Sequence, residues 1–209
     1  MAKGFTPLEI NSNVRQNYNL SQKTSNGKSL TGFTLLELLI VISILAILST
    51  VVVLVLNPAE FLKQARDSRR ISDLETLNGA LALYLSDVSA DLGGTAGSYY
   101  CSIAVAGNLP GGTIACTVNS TSTAIAGTGW LPNNFSSISG GSPISREPLD
   151  PTNSETYKYA YARNSSNQYE LNAKMESAKY TTGANNLGAN DGGNNSSAYE
   201  IGTLLTIIP

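Results

Sequence analysis

An apolar run of 24 residues, from Phe33 to Leu56, limits what this chain can fold into more than any other feature of its sequence. A helix of about 20 apolar residues crosses the hydrocarbon core of a bilayer. Core helices of soluble proteins rarely stay apolar on every face for that length. A secretory signal has a shorter apolar part that is followed by a small residue, whereas the small residue Gly32 precedes this run. The sequence therefore predicts one membrane-inserted helix, surrounded by membrane lipid.

Charge is distributed unevenly on the two sides of the apolar run. Residues 1–32 carry four basic side chains and one acidic one, and the rest of the chain carries nine basic and fourteen acidic ones. Basic flanks stay in the cytoplasm. We therefore expect a single-pass protein of the cell membrane, with its N-terminus in the cytoplasm and residues after Leu56 exported.

Glu37 is the one charged residue in the apolar run. A carboxylate near the middle of a bilayer costs about 2.5–3.5 kcal/mol on insertion scales. Glu37 lies four residues, or one helical turn, after Phe33. If the chain were cut between Gly32 and Phe33, the new amine would meet this carboxylate, on the same chain or on a neighbour. The alternative is a glutamate that reaches the membrane surface from the first turn.

The run from Gly32 to Glu37 reads GFTLLE and is followed by LLIVI. This stretch resembles the class III signal of type IV pilins and pseudopilins. The resemblance implies that prepilin peptidase cuts after Gly32 and that the new terminus, Phe33, is N-methylated. It also implies that Glu37 pairs with the N-terminal amine of a neighbouring subunit during assembly.

The same resemblance assigns residues 1–32 to a cytoplasmic leader that is cleaved, and residues 33–56 to a transmembrane and assembly helix. Its expected partners are other copies of the chain in a helical filament, prepilin peptidase, and an inner-membrane platform with an assembly ATPase. A near copy of the motif, Gly4 to Ile10, is followed by polar residues and is predicted to be unused. The polar stretch Asn11 to Ser29 is expected to be disordered.

Residues 57–90 are predicted to form an amphipathic helix that continues the apolar one after a kink at Asn57-Pro58. The apolar residues recur at spacings of three and four, namely Phe61, Leu62, Ala65, Ile71, Leu74, Leu77, Leu81, Tyr84, Leu85 and Val88. The polar residues are predicted to lie on the opposite, solvated face with short-range ion pairs, namely Lys63, Arg66, Asp67, Arg69, Arg70, Asp73 and Glu75. An anion site at Arg69-Arg70 is the alternative.

Residues 91–209 are predicted to be an exported globular head. Short strands are expected at Ile103 to Val105 and at Thr113 to Val118. Cys101 and Cys116 are the only cysteines. An oxidising exterior favours a disulfide between them, and a metal site of two cysteines in a chain without histidine is improbable.

A β-hairpin is predicted in the second half of the head. Tyr157, Tyr159 and Tyr161 alternate with smaller or polar residues, a turn follows at Asn164 to Asn167, and a second alternating run spans Tyr169 to Met175. The tyrosine row is expected to pack against a helix, and a stacking surface for single-stranded DNA or sugar is the alternative. A last strand is expected at Ile201 to Ile208. The predicted fold class is α+β and pilin-like, with one long N-terminal helix packed on a small antiparallel sheet.

A loop rich in glycine and asparagine, Gly183 to Asn195, could hold calcium as in some major pseudopilins. Calcium prefers six to eight oxygen ligands, usually from several carboxylates, and this loop offers Asp191 alone. The loop is therefore expected to be a flexible turn, with Asp191 as a weak metal candidate.

The composition favours neither catalysis nor nucleic-acid binding. The chain has no histidine and shows no phosphate-binding loop, so we expect neither an enzyme nor a cofactor. An acidic mature chain is a poor match for a phosphate backbone. The predicted function is a structural subunit of a type IV pilus or related filament, at the cell surface after assembly. The alternatives are a pseudopilin of a type II secretion or DNA-uptake machine, and a singly displayed, membrane-tethered adhesin.

Overall fold

The computed structural model describes residues 32–88 and 91–209. The predicted leader up to Thr31, the unused motif Gly4 to Ile10 and the predicted disordered stretch Asn11 to Ser29 lie outside the described residues. The chain divides between Ser49 and Thr50 into two compact units.

The apolar run forms helix α1, Leu35–Leu56, and none of its residues is buried. The helix ends because Asn57 adopts a left-handed conformation with φ of 42°, which asparagine tolerates better than most residues. Pro58 then begins helix α2, Pro58–Asp87, since a proline fits the first position of a helix. The break therefore lies at the predicted Asn57-Pro58 step.

Helix α2 is amphipathic, as predicted, but only its later turns reach the core. Leu74, Leu77 and Leu81 are fully buried. Phe61 and Leu62, which open the apolar pattern, are 57% and 62% exposed.

Five short strands form one sheet, which packs against α2. The strands are β1 (Tyr99–Cys101), β2 (Val118–Asn119), β3 (Tyr159–Arg163), β4 (Tyr169–Ala173) and β5 (Tyr199–Gly202). The order across the sheet is β2-β1-β3-β4-β5. Neighbouring strands are antiparallel except for the parallel pair β1 and β2. The predicted α+β, pilin-like fold is confirmed, with a sheet that is mixed because of this one pair.

Alternation along the strands gives the sheet two different faces. Tyr159 and Leu171 lie on the inner face, in a core that also contains the leucines of α2. Ala160 and Ala162 lie on the outer face, in a smaller core with both cysteines and Ile208. The hairpin of β3 and β4 was predicted correctly, including the turn before Tyr169.

Three strand predictions were wrong in position. β1 ends at Cys101, before the predicted strand Ile103 to Val105: Ile103 is buried in the outer core and Val105 is 51% exposed. β2 begins only at Val118, the last residue of the second predicted strand. β5 ends at Gly202, and farther along the predicted strand the N–H groups of Ile207 and Ile208 donate to the Glu170 side chain and not to a neighbouring strand.

The loop Gly183 to Asn195, predicted to be a flexible turn, has regular structure: a 3₁₀ turn at Gly183–Asn185 and the one-turn helix α4 (Leu187–Asn190). Another one-turn helix, α3 (Ala178–Thr181), precedes it.

Candidate functional site

The candidate processing site is the short segment before α1. Gly32 and Phe33 are exposed, and Phe33 is 83% accessible. A Cβ atom added at Gly32 would meet nothing within 4 Å. The described fold therefore does not itself require a glycine at this position.

Thr34 caps the N-terminus of α1. Its Oγ1 accepts a hydrogen bond from the backbone N–H of Glu37 at 3.1 Å, and its carbonyl accepts one from Leu38 at 3.1 Å. A threonine followed three residues later by glutamate is the sequence signature of a capping box. This role of Thr34 was not predicted, although the motif carries the signal for it.

Glu37 lies in the first turn of α1, where a carboxylate interacts favourably with the positive end of the helix dipole. Its side chain is exposed, and within residues 32–88 and 91–209 no salt bridge reaches it. The carboxylate is thus one turn from Phe33 and open to a positive group from another molecule.

Helix α1 is long and apolar enough to cross a membrane. Two of its polar side chains are satisfied inside the helix. The hydroxyls of Ser43 and Ser49 donate to the carbonyls of Leu39 and Leu45 at 2.8 and 2.7 Å. Polar groups in a bilayer need such internal partners, so these serines are compatible with membrane insertion.

Comparison with known proteins agrees with this reading of the N-terminus. Residues 30–53 match the family model of the prokaryotic N-terminal methylation motif. No curated protein and no solved structure matches the chain. The chain therefore carries the class III signal of type IV pilins and pseudopilins. Motif and fold together support a pilin-like or pseudopilin protein that is anchored in a membrane.

A cluster of five charged side chains, named here the Arg70 cluster, joins α2 to two loops of the head. Its members are Arg66, Asp67, Arg70, Asp150 and Glu176. Asp67 and Arg70 are fully buried, so their predicted place on the solvated face of α2 was wrong. The alternative anion site at Arg69-Arg70 also fails to fit, because the Arg70 guanidinium is occupied by carboxylates.

Arg70 is the centre of this cluster. Its Nε and Nη2 donate to the two oxygens of Asp150 at 2.6 and 2.9 Å. Its Nη1 donates to Asp67 at 2.8 Å, and its Nη2 donates to Glu176 at 2.6 Å. Bidentate arginine–carboxylate pairs are among the strongest polar contacts in proteins.

Glu176 is held from two sides. Arg66 donates to both of its carboxylate oxygens, at 3.0 and 2.6 Å. The hydrogen bonds from Arg66, opposed by partial burial and aided by Arg70, lower the pKa of Glu176 to about 2. Asp67 accepts the backbone N–H groups of Glu176 and Ser177, which fixes the loop after β4 against α2.

The tyrosine row of the hairpin packs inward. Tyr159 and Tyr161 are fully buried, so the row is not a stacking surface for DNA or sugar. The Tyr159 hydroxyl donates to Asp73 of α2 at 2.8 Å, and the Tyr169 hydroxyl donates to Asn78 at 2.7 Å. These tyrosines join the sheet to the helix, as expected from their alternation.

The predicted disulfide between Cys101 and Cys116 is present. Both residues are buried, at 1% and 8% exposure. The bond connects the end of β1 to the segment that leads into β2, and so ties down one edge of the sheet.

Asp191, the weak metal candidate, is engaged in a turn. Its two carboxylate oxygens accept the backbone N–H groups of Gly193 and Glu200 at 2.9 and 2.8 Å. In the described part of the chain, no group of three or more His, Cys, Asp or Glu side chains is placed to hold a metal ion.

Proposed function

We propose that this chain is a structural subunit of a type IV pilus or a related filament. Prepilin peptidase cuts it after Gly32, Phe33 becomes the N-methylated terminus, and α1 carries the assembly contacts. One observation carries the proposal: a class III signal stands directly before an apolar helix that buries no residue within its own chain.

The exposed helix needs another surface to cover it. Large apolar side chains are open along its length, from Leu35 at 82% to Leu54 at 77% exposure. Burying one valine, leucine or isoleucine side chain stabilises a structure by about 1.5–3 kcal/mol. Lipid covers α1 before assembly, and the helices of other copies cover it afterwards. Identical subunits joined by contacts that do not close on themselves form a helical filament.

The surroundings of Gly32 support its role as the cleavage site. Since nothing in the described chain crowds this position, a need for glycine arises from an outside enzyme that approaches the backbone closely.

Glu37 supports assembly in a similar way. Its carboxylate has no ion pair in the part of the chain that the structure describes, and it is offered to the Phe33 amine of the adjoining subunit.

The remaining assignments follow from this function. Residues 1–32 form the cytoplasmic leader and residues 33–56 the transmembrane and assembly segment. Residues 57–90 form the segment that contains the amphipathic helix α2, and residues 91–209 form the exported head. The disulfide of the head agrees with an oxidising exterior. An inner-membrane platform and an assembly ATPase supply the work of extraction, by analogy with pilins. The role is structural and not catalytic.

Processing is tested by expressing the full chain with and without prepilin peptidase. Mass spectrometry should find a mature chain that begins at Phe33 only when the peptidase is present. Gly32→Ala, or a larger residue at this position, should leave the precursor uncut. A mature terminus at Phe5, or one beyond Leu56, would contradict the proposed site.

Assembly is tested by shearing cells that produce the chain and sedimenting the released material. Filaments built mainly of this chain are expected. A chain that is cut correctly but stays entirely with the cells would instead indicate a pseudopilin in a short assembly or a singly displayed adhesin.

A further inference from the structure

Two buried carboxyl groups lie together on the outer face of the sheet, opposite α2. Glu170 in β4 is fully buried and Glu200 in β5 is 2% exposed. The register pairs Asn172 with Glu200 and Glu170 with Gly202, so the two glutamates are diagonal neighbours on one face. Each carboxyl group acts on the pKa of the other.

The contacts of this pair within the described residues are hydrogen bonds and not ion pairs. Glu170 accepts the backbone N–H groups of Ile207 and Ile208, and Glu200 accepts that of Asn195. The charged neighbour from the adjoining turn is Asp191, which is also acidic. In the described residues no salt bridge reaches either glutamate. Two carboxylates buried side by side cannot both stay ionised without a cation.

One oxygen of the pair lacks a donor. Glu170 Oε1 is buried and has no hydrogen-bond partner. A proton carried by one of the two carboxyl groups would lie between them and supply the missing hydrogen bond. It would also remove one of the two buried charges.

The pair connects two segments that cover the outer face. Glu170 Oε2 accepts the N–H groups of Ile207 and Ile208 at 2.8 and 3.0 Å, and Ile208 is fully buried beside the cysteines. Glu200 Oε2 accepts the N–H of Asn195 at 3.1 Å. Gly193 approaches the Glu200 carboxyl so closely that a Cβ atom there would overlap it.

We propose that Glu170 and Glu200 hold one proton between them at neutral pH, and that this proton fastens residues 204–209 and the turn 191–195 to the sheet. Loss of the proton in alkaline medium leaves two adjacent buried charges. Their repulsion releases both segments and opens the face that carries the disulfide.

The direction of the pH effect follows from the pKa shifts. Burial, followed by the nearby carboxyls of Glu170 and Asp191, raises the pKa of Glu200 to about 8. Burial also raises the pKa of Glu170, against the effect of its N–H donors. The unfolded chain releases the shared proton at the ordinary glutamate pKa of 4.5. The unfolding equilibrium constant therefore rises by up to about tenfold per pH unit between pH ~4.5 and ~8, and then levels off.

Local opening is measured on the full chain in detergent micelles by amide hydrogen exchange. Rates are divided by the intrinsic rate at each pH, so that only protection is compared. For the wild type we expect the protection of residues 204–209 to fall by up to about tenfold per pH unit as the pH rises from about 5 to about 8, and to stay level above that. In Glu200→Gln the side-chain amide donates to Glu170 in place of the proton, so protection should stay constant.

Glu147→Gln is the matched control. Glu147 is also buried, with a pKa that burial raises to about 8, but its Oε2 accepts the N–H of Leu131 in a different part of the head. This variant should leave the response of residues 204–209 unchanged.

Carboxyl ¹³C titration of the wild type provides a measurement that needs no variant. Once the carboxyl signals are assigned by residue, so that Glu147 is told apart, one glutamate of the pair should titrate near pH 8. The proposal is overturned if both glutamates titrate below pH ~6, or if wild type and Glu200→Gln lose protection equally. It is also overturned if millimolar calcium chloride or a chelator shifts the wild-type response, since a metal ion would then hold the pair.

Discussion

Glu37 is exposed and has no ion-pair partner in the described residues, whereas the fully buried Arg70 is surrounded by carboxylates. The two residues show how differently a charge on the N-terminal helices can be used. The Glu37 carboxylate is open to a group from another molecule, whereas Arg70 is fully engaged in ion pairs with carboxylates of its own chain.

The proposed assembly role of Glu37 predicts the behaviour of Glu37→Gln. The variant keeps the backbone N–H that Thr34 accepts, so α1 should form, insert and be cleaved as before. It loses the charge that attracts an incoming amine and leaves that amine buried without a partner. We expect a mature chain in the membrane and few or no filaments in the sheared fraction.

Ser43→Ala is the control for Glu37→Gln. Its hydroxyl bonds only to Leu39 of the same helix, so filaments should be retained. Filaments at wild-type levels from both Glu37→Gln and Glu37→Ala, with cleavage confirmed, would show that the carboxylate has no role in assembly.

Arg70→Met predicts a large loss of stability. Methionine fills much of the same space but leaves Asp67 and Asp150 buried without their cation. Removing one partner of a buried ion pair costs about 3–5 kcal/mol. Denaturant unfolding of the detergent-solubilised chain measures this free energy.

The neighbouring Arg69→Met is a matched control. The Arg69 side chain is 63% exposed and lies 3.6 Å from Asp73, and such surface pairs contribute at most about 1 kcal/mol. Equal losses for the two variants would mean that the Arg70 cluster does not hold the head together.

The Arg70 cluster was only partly predictable. Asp67 and Arg70 precede Leu74 by seven and four residues, so helical periodicity alone places them on the buried stripe. Their charge argued for the opposite face. Arg70 can be buried because it pairs with Asp150 and Glu176, which are 80 and 106 residues away in sequence. No local sequence pattern indicates partners at such distances.

Among the secondary-structure elements, those with a long repeating pattern were predicted best. The apolar run and the three- and four-residue spacing identified α1 and α2, and alternation identified the β3–β4 hairpin. β1, β2 and β5 have only two to four residues each. Their ends depend on contacts such as Glu170 with the Ile207 N–H, which sequence alternation does not encode.

Loss of the disulfide should loosen the strands that it connects. Replacing both cysteines with alanine removes a bridge that closes a loop of about 15 residues, worth about 3 kcal/mol in the chain-entropy model. We expect faster amide exchange in β1 and β2 and lower stability of the whole head. A reducing agent should destabilise the wild type and leave the double variant unaffected. Non-reducing mass mapping that finds two free thiols would contradict the bond itself.

For the whole molecule, the packed core predicts that α2 and the head fold together without α1. Every buried residue of the described chain lies between Asp67 and Ile208, and α1 contributes none. A fragment of residues 58–209 should therefore be soluble and monomeric. Its free energy of unfolding should lie within about 1 kcal/mol of the full chain in the same detergent, since few contacts are removed.

A second fragment, beginning at Leu77, serves as the control. It lacks Arg70 and Leu74 and should fail to fold, as near-ultraviolet circular dichroism would show. If residues 58–209 were also unfolded, α1 would have a part in the stability of the head that its exposure does not reveal.

The long sequence separation within the Arg70 cluster also determines when the cluster can form during synthesis. Asp67 and Arg70 precede Glu176 by more than a hundred positions, so they emerge long before it from a ribosome or an export channel. Until residue 176 has followed, the guanidinium has no complete set of carboxylates and α2 cannot be locked to its loops. If the head is exported as proposed, it should therefore fold only late in translocation. In a truncated or stalled chain, α2 should be open to proteases.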